Sequence, residues 1–354
     1  MSVMLFHFFA PGVSPIHDEL AASMPTSMTR IIQEMYCGVN VFFVLSGFVI
    51  AFSMDGQTAN LRYAGNFIVR RSLRLDPPYW AAMALMIGYF LLLWPTKWHD
   101  FYLMYGGMRG VAANLFYLQN LSFVYPANSI LDVSWTLCLE VQFYLTYLLV
   151  LVTGHYSRSL TVRRATETRR AVVVLSLTSV AVWSYVSWIL QPSDDFTGRA
   201  WTFLLGVAVY GALTRGAPTI AVAVFLAALA VPFVWKQETE GIVTVATASV
   251  IFVSGLMGWM STLLAYRPLL HLGKISYCIY LMHMVIGMNI LSLLSSAIDG
   301  SVAAAWIALA MAIVLSLFGA ELLHRRVEAP SNRLGQRLKR PRPVQVALHG
   351  KIVN

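Results

Sequence analysis

Long apolar runs, broken by short charged clusters, dominate the chain. A helix that crosses a bilayer needs about 20 mainly apolar residues. Runs of that kind fall at Tyr36–Met54, Tyr79–Pro95, Ser134–Thr153, Ala171–Leu190, Ala200–Leu213, Pro218–Trp235, Gly241–Met260, Ile275–Ser296 and Val302–Leu323, nine in all. Ala200–Leu213 is short and reads as a span tilted into protein or extended at its ends. Val111–Val124 is apolar on one side only and reads as a re-entrant or interfacial segment. Met1–Pro11 is almost wholly apolar and stops at Pro11-Gly12. Eleven helical residues cover only about half of a ~30 Å hydrocarbon core. The segment lacks the basic start and small-residue cleavage site of a signal peptide. It reads as an interfacial anchor or, preferably, as the outer half of a tenth span whose inner half precedes this chain. The pattern predicts an all-α, polytopic transmembrane helical bundle of about ten spans, the first incomplete, with no internal repeat.

Composition narrows the class. Hydrophobic residues make up 58% and charged residues 12%, against roughly 25% charged in a soluble domain. That excludes a disordered chain, a solenoid with a polar face and most soluble enzymes. The net charge of +9 suits either nucleic acid or a membrane surface, and the position of the charges decides. With Asp55–Pro78 placed inside, 20 of the 25 Lys and Arg residues fall inside and 5 outside, a strong positive-inside signal. The outside loops are instead acidic, with Asp18, Glu19, Asp132, Asp194 and Glu240 among them. The basic run His324–Lys351 reads as a tail on anionic lipid, and it lacks the interleaved aromatics of a nucleic-acid tail. The expected division is a transmembrane domain over residues 1–323 and a basic cytoplasmic tail over 324–354.

The candidate chemistry is sparse. Cys37, Cys138 and Cys278 are far apart and form no C-x-x-C. They read as small buried hydrophobes, and no metal site is expected. Nucleophile-elbow, Walker, dinucleotide-binding and zinc-protease motifs are absent. The ionisable residues within apolar runs are His7, Glu140, His283 and Glu321, with Asn40 and Ser46 as neutral polar additions. Such residues are costly in a membrane and therefore informative. Glu140 lies about 9 Å into its span by helix rise. It suits an interhelical hydrogen bond or a group that orients a catalytic His. His7 suits a snorkelling side chain or a general base. Tyr280 and His283 share a helix face at i, i+3, which fits packing or a hydrogen bond between helices. Glu321 and Arg325 fit an ordinary i, i+4 ion pair. Arg70, Arg71 and Arg74 precede Asp76-Pro77-Pro78 and suit either membrane anchoring or a phosphate-rich ligand.

Four segments resemble the acyltransferase-3 family of integral membrane O-acyltransferases, which act on bacterial surface polysaccharides and some secondary metabolites. They are the Gly38–Phe48 stretch GVNVFFVLSGF, Phe67–Trp80 with its Arg70-Arg71-Ser72-Leu73-Arg74 core, Ser134–Tyr144 (SWTLCLEVQFY) and Gly273–His283 (GKISYCIYLMH). The resemblance runs from about His7 to about Glu321. It implies an acyl-CoA co-substrate, acetyl-CoA by default, with no permanently bound cofactor. Arg70, Arg71 and Arg74 would hold its phosphates at the cytoplasmic face. A hydroxyl of an extracytoplasmic carbohydrate would approach from outside. His7 would act as general base or acyl relay, and Glu140 would orient or charge it. Asn40, Ser46, Trp135, Tyr144, Tyr280 and His283 would line the substrate cavity, with the outside loop Thr96–Val133 helping to form the acceptor site. The family's first span carries an Arg, ten intervening residues and then the His, so with His7 in the His position that Arg would precede Met1. The expected form is single-domain, N-terminally truncated and multi-pass in a bacterial cytoplasmic (inner) membrane, with no nucleic-acid or named protein partner. A transporter or flippase would also suit ten spans, but the repeat symmetry of that class is missing. An inactive truncated acyltransferase is the third reading.

Overall fold

The computed structural model describes residues 1–93, 98–121, 128–157, 162–262, 265–298 and 300–338. Among these residues the chain is helices and connecting turns, with no strand. The helices are α1 (Ser2–Phe9), α2 (His17–Ala22), α3 (Thr26–Gln33), α4 (Gly38–Met54), α5 (Leu61–Leu93), α6 (Trp98–Met104), α7 (Gly107–Leu115), α8 (Trp135–Tyr156) and α9 (Val162–Leu190). They continue as α10 (Phe196–Arg215), α11 (Thr219–Lys236), α12 (Thr239–Leu256), α13 (Arg267–Lys274), α14 (Ser276–Met282), α15 (Asn289–Ile298), α16 (Val302–Leu323) and α17 (Ala329–Arg337). The chain is an all-α, multi-pass membrane protein.

Seven of the nine apolar runs coincide with helical stretches that are long and apolar enough to cross a bilayer. The other two, Tyr79–Pro95 and Ala200–Leu213, lie on α5 and α10. The end of Tyr79–Pro95 falls outside the described residues. Several helix starts are fixed by capping. The carboxylates of Asp195 and Glu238 accept from Gly198 N and Gly241 N, at 3.0 and 2.8 Å. Ser301 Oγ accepts from Ala304 N ahead of α16. Each satisfies an N–H that the helix itself leaves unpaired.

α5 runs unbroken through Asp76-Pro77-Pro78, although the sequence suggests that a span opens only at Tyr79. Pro77 and Pro78 lack the N–H groups that would bond the carbonyls of Leu73 and Arg74, which weakens the ladder beside the basic run. Tyr277 Oη donates to the neighbouring Leu75 carbonyl at 2.8 Å. α16 likewise continues past Leu323, through a π-helical turn at His324–Glu328, into α17. The first residues of the run read as a tail are therefore helical, with His324 and Glu328 buried. The tail from Lys339 onward lies outside the described residues.

The chain divides into two compact units. The first comprises Met1–Gly38, Val69–Cys138 and Arg267–Leu338. In it α1 packs against α14 and a second π-turn at His283–Met288, and both of these pack on α16. Phe8 is fully buried and its ring fills the notch over Gly287, where a Cβ would collide with Phe8 and Ser316. The segment read as re-entrant, Val111–Val124, forms the end of α7 and a turn, and residues 122–127 lie outside the described ones. Buried Asn114 organises this region. Its amide donates to Gly110 O and Asn128 O, and its Oδ1 accepts from Ile130 N, all at 2.9–3.0 Å.

The second unit comprises Val39–Ile68 and Leu139–Tyr266 among the described residues. Its apolar core includes Val44, Trp201, Leu205, Phe233 and Phe252. α4 and α10 touch backbone to backbone where Gly47 meets the Phe203 carbonyl and Gly206 meets the Val44 carbonyl. Small residues at such crossings let membrane helices approach closely.

Candidate functional site

The first unit builds a histidine pair. His7 is half-buried near the end of α1, and His283 is fully buried at the start of the π-turn after α14. Their ring centroids are 5.1 Å apart, and His283 Nε2 lies 3.4 Å from His7 Nδ1. His7 Nδ1 is 2.8 Å from Val3 O, and His283 Nδ1 is 3.1 Å from Ile279 O. A carbonyl accepts only, so each Nδ1 carries a proton. That tautomer leaves Nε2 of His7 as its basic nitrogen. Asp132, in the turn before α8, interacts electrostatically with His7.

Tyr280 holds the neighbouring backbone. Its hydroxyl donates to Val133 O at 2.8 Å and lies 2.7 Å from Thr136 Oγ1. The Tyr280 ring also packs beside His283, with centroids 5.8 Å apart. This ties the Asp132–Thr136 turn to the helix bearing His283, so Tyr280, His283, His7 and Asp132 share one neighbourhood. Trp135 opens α8 beside that turn. Neither the i, i+3 spacing of Tyr280 and His283 nor the apolar run around His7 revealed this meeting. Asp132 was legible only as one more outside acidic residue.

Also in the first unit, Arg70 and Arg71 are half-buried and Arg74 is exposed. Arg70 and Arg74 are i, i+4 on α5 and share a face. Gly335 of α17 packs against this stretch, its Cβ position 3.5 Å from Arg70 O. Glu321 is paired with Arg325, and its other oxygen lies 3.0 Å from His271 Nε2.

The second unit holds Glu140 in a small polar cluster. Ser46 Oγ of α4 donates to Glu140 Oε1 at 3.0 Å, and Tyr144 Oη donates to the same oxygen. Ser46 and Tyr144 are themselves 3.2 Å apart. Two hydroxyls thus fix one carboxylate oxygen, one of them from the same helix a turn later.

Asn40 joins a different network of this unit. Its amide donates to Thr244 Oγ1 at 3.0 Å and to Glu240 O at 3.2 Å, while its Oδ1 accepts from Arg199. Arg199 pairs with Glu240 and Asp194 and lies 4.1 Å over the Trp188 ring. The sequence shows Arg199 as an ordinary outside cation, yet it is 4% exposed. Asn40 on the facing run was the available hint, since a buried amide needs partners. A cavity of about 750 Å³ also opens in this unit, walled by residues such as Leu177, Leu204 and Ala208, with Asp55 and Arg215 on its lining.

Comparison with known proteins gives two relatives. The chain is 26% identical over 347 residues to "Peptidoglycan O-acetyltransferase OatA" of Listeria monocytogenes, covering 85% of this chain and 52% of that protein. It is 28% identical over 289 residues to "Putative peptidoglycan O-acetyltransferase YrhL" of Bacillus subtilis, covering 70% of this chain and 43% of that protein. The chain thus spans about half the length of these relatives. No solved structure matches it. The family model described as "Acyltransferase domain" matches residues 1–324, nearly the whole of the helical part described above, and the chain belongs to this family, acyltransferase family 3.

Proposed function

We propose that this chain is a membrane O-acyltransferase that moves an acetyl group from acetyl-CoA, bound at the cytoplasmic face, to a hydroxyl of an extracytoplasmic glycan. It would sit in a bacterial cytoplasmic membrane with its C-terminus inside. The observation that carries the reading is the histidine pair. His7 has its Nδ1 committed to a carbonyl and to His283, which leaves Nε2 as the proton acceptor.

In this reading the acceptor hydroxyl gives its proton to His7 Nε2 as its oxygen attacks the thioester carbonyl. The C–S bond then breaks, and the departing thiolate of CoA takes the proton from the imidazolium. Asp132 stabilises the imidazolium while it exists, as a carboxylate beside a catalytic His does. Arg70, Arg71 and Arg74 supply positive charge for the CoA phosphates, a task suited to guanidinium groups. Glu140, held by Ser46 and Tyr144, acts as a positioning residue. The names of the two relatives support peptidoglycan as the first acceptor to try.

The test is transfer of radiolabel from acetyl-CoA to glycan in membranes containing the protein. Wild type is expected to label the glycan. His7→Ala is expected to abolish labelling at unchanged protein level. Full labelling by that variant, or movement of label across the membrane without glycan modification, would overturn the reading.

A further inference from the structure

The first unit contains a second cluster of chemically active side chains that the proposed transfer does not use. Cys278 on α14 meets His324 and Glu328, the first and last residues of the π-turn after α16. Cys278 Sγ lies 3.1 Å from Glu328 Oε2, and His324 Nδ1 lies 2.7 Å from the same oxygen. One ligand atom from each residue falls within 4.8 Å of the other two, and all three residues are buried. The sequence hides this set, because Cys278 stands alone and far from the other two.

The donors are a thiol, an imidazole and a carboxylate. That mixture suits a borderline-soft divalent ion, Zn²⁺ above all, rather than the all-oxygen shells that Mg²⁺ and Ca²⁺ take. The charges also balance. On binding, Cys278 releases its proton, so a thiolate and a carboxylate together neutralise the 2+ ion, and His324 binds as a neutral ligand. In a buried place a neutral set is far less costly than an unpaired charge. Ligand atoms around a tetrahedral Zn²⁺ stand roughly 3.3–3.7 Å apart, given bonds of about 2.0–2.3 Å. The 3.1 Å and 2.7 Å separations from Glu328 Oε2 would open by roughly 0.4–0.6 Å to reach that.

The π-turn supplies an independent pointer. Single π-turns inside α-helices occur frequently at functional sites, and this one carries both His324 and Glu328. We propose that Cys278, His324 and Glu328 form a binding site for a zinc-class divalent ion. The ion would fasten the π-turn to α14. It would thereby fix α17, whose Gly335 packs on the backbone of Arg70 in the basic run.

The test uses the full chain in detergent, stripped of metal and titrated with Co²⁺ as a spectroscopic probe. Wild type is expected to take up one Co²⁺ at this site and to show a thiolate-to-cobalt charge-transfer band that Zn²⁺ then abolishes. Cys278→Ser is expected to lack the band, Cys37→Ser to keep it, and His324→Ala to bind Zn²⁺ at least about tenfold more weakly. A measurement without variants guards against misfolding: wild type is expected to melt at a higher temperature with Zn²⁺ than without it. Absence of both the band and the melting shift in wild type would overturn the proposal and leave a hydrogen-bonded triad. A band that survives Cys278→Ser would overturn it as well.

Discussion

The base assigned to His7 depends on which ring nitrogen holds the proton. With Nδ1 facing the Val3 carbonyl at 2.8 Å, the opposite tautomer would set a lone pair against a lone pair. The local helix therefore selects the tautomer. His283 is pinned in the same way by Ile279 O, so its Nε2 offers only a lone pair toward His7. In the proposed transfer, the charge that His7 gains would sit next to a neutral, buried imidazole. Asp132 stands in the turn that Tyr280 ties beside this pair, and it is the group expected to stabilise that charge. Asp132→Asn keeps shape and removes charge. It is expected to lower kcat for acetyl transfer about tenfold, which corresponds to about 1.4 kcal/mol of barrier. The KM for acetyl-CoA should stay unchanged, because the loss falls on the transition state. Steady-state kinetics in proteoliposomes would check both values. A change in KM alone would mean that Asp132 acts on binding.

At the scale of elements, helix ends carry more of the specification than helix interiors. The interiors are apolar runs, and apolar runs alone placed seven of the spans. The ends depend on single residues such as Asp195, which caps α10. Partial desolvation alone would raise its carboxyl, but donors from Thr197, Gly198 and Ser193 outweigh that and hold it below the usual carboxylate range. A carboxylate depressed in the folded state stabilises the fold above its unfolded pKa and loses that contribution as pH falls through the folded value. Asp195→Ala is therefore expected to cost about 1 kcal/mol at neutral pH, the usual size for an N-cap. The difference in melting temperature from wild type should shrink as the pH drops below about 4. Because Asp195 is exposed, the charge part of that difference should also weaken in high salt.

The same contrast explains what the sequence could and could not reveal. Spans, the all-α class and the basic run at Arg70–Arg74 are local patterns and were legible. The Glu321–Arg325 pair is one helical turn and was legible too. The meetings of His7 with His283, of Arg199 with Glu240, and of Cys278 with His324 join residues far apart in the chain. Only packing brings them together. Arg199 misled for a physical reason: it sits at a helix start, where an exposed cation and a buried paired one look alike in a sequence. The continuity of α5 through two prolines was hidden because propensity argues for a break there, while Tyr277 and the surrounding packing support the helix through it.

At the scale of the whole molecule, the proposed reaction must join two aqueous sides through one protein. The groups assigned to its two ends, Arg70, Arg71 and Arg74 for the donor and His7 for the acceptor, belong to the same compact unit. That membership makes the division of labour testable without any assumption about the second unit. Guanidinium groups that hold the phosphates of CoA contribute to binding and are remote from the reacting carbonyl. A base that accepts the hydroxyl proton contributes only as the transition state forms. Each lost charge-assisted hydrogen bond is worth about 1.5–3 kcal/mol. Arg70→Ala and Arg71→Ala are thus expected to raise the KM for acetyl-CoA by roughly 10–100-fold while leaving the KM for the glycan unchanged. A saturating donor concentration should restore most of kcat in these variants, but no concentration of either substrate should rescue His7→Ala. If the arginine variants instead lost kcat at saturation, their role would lie in anchoring the fold, as cations flanking a membrane span do.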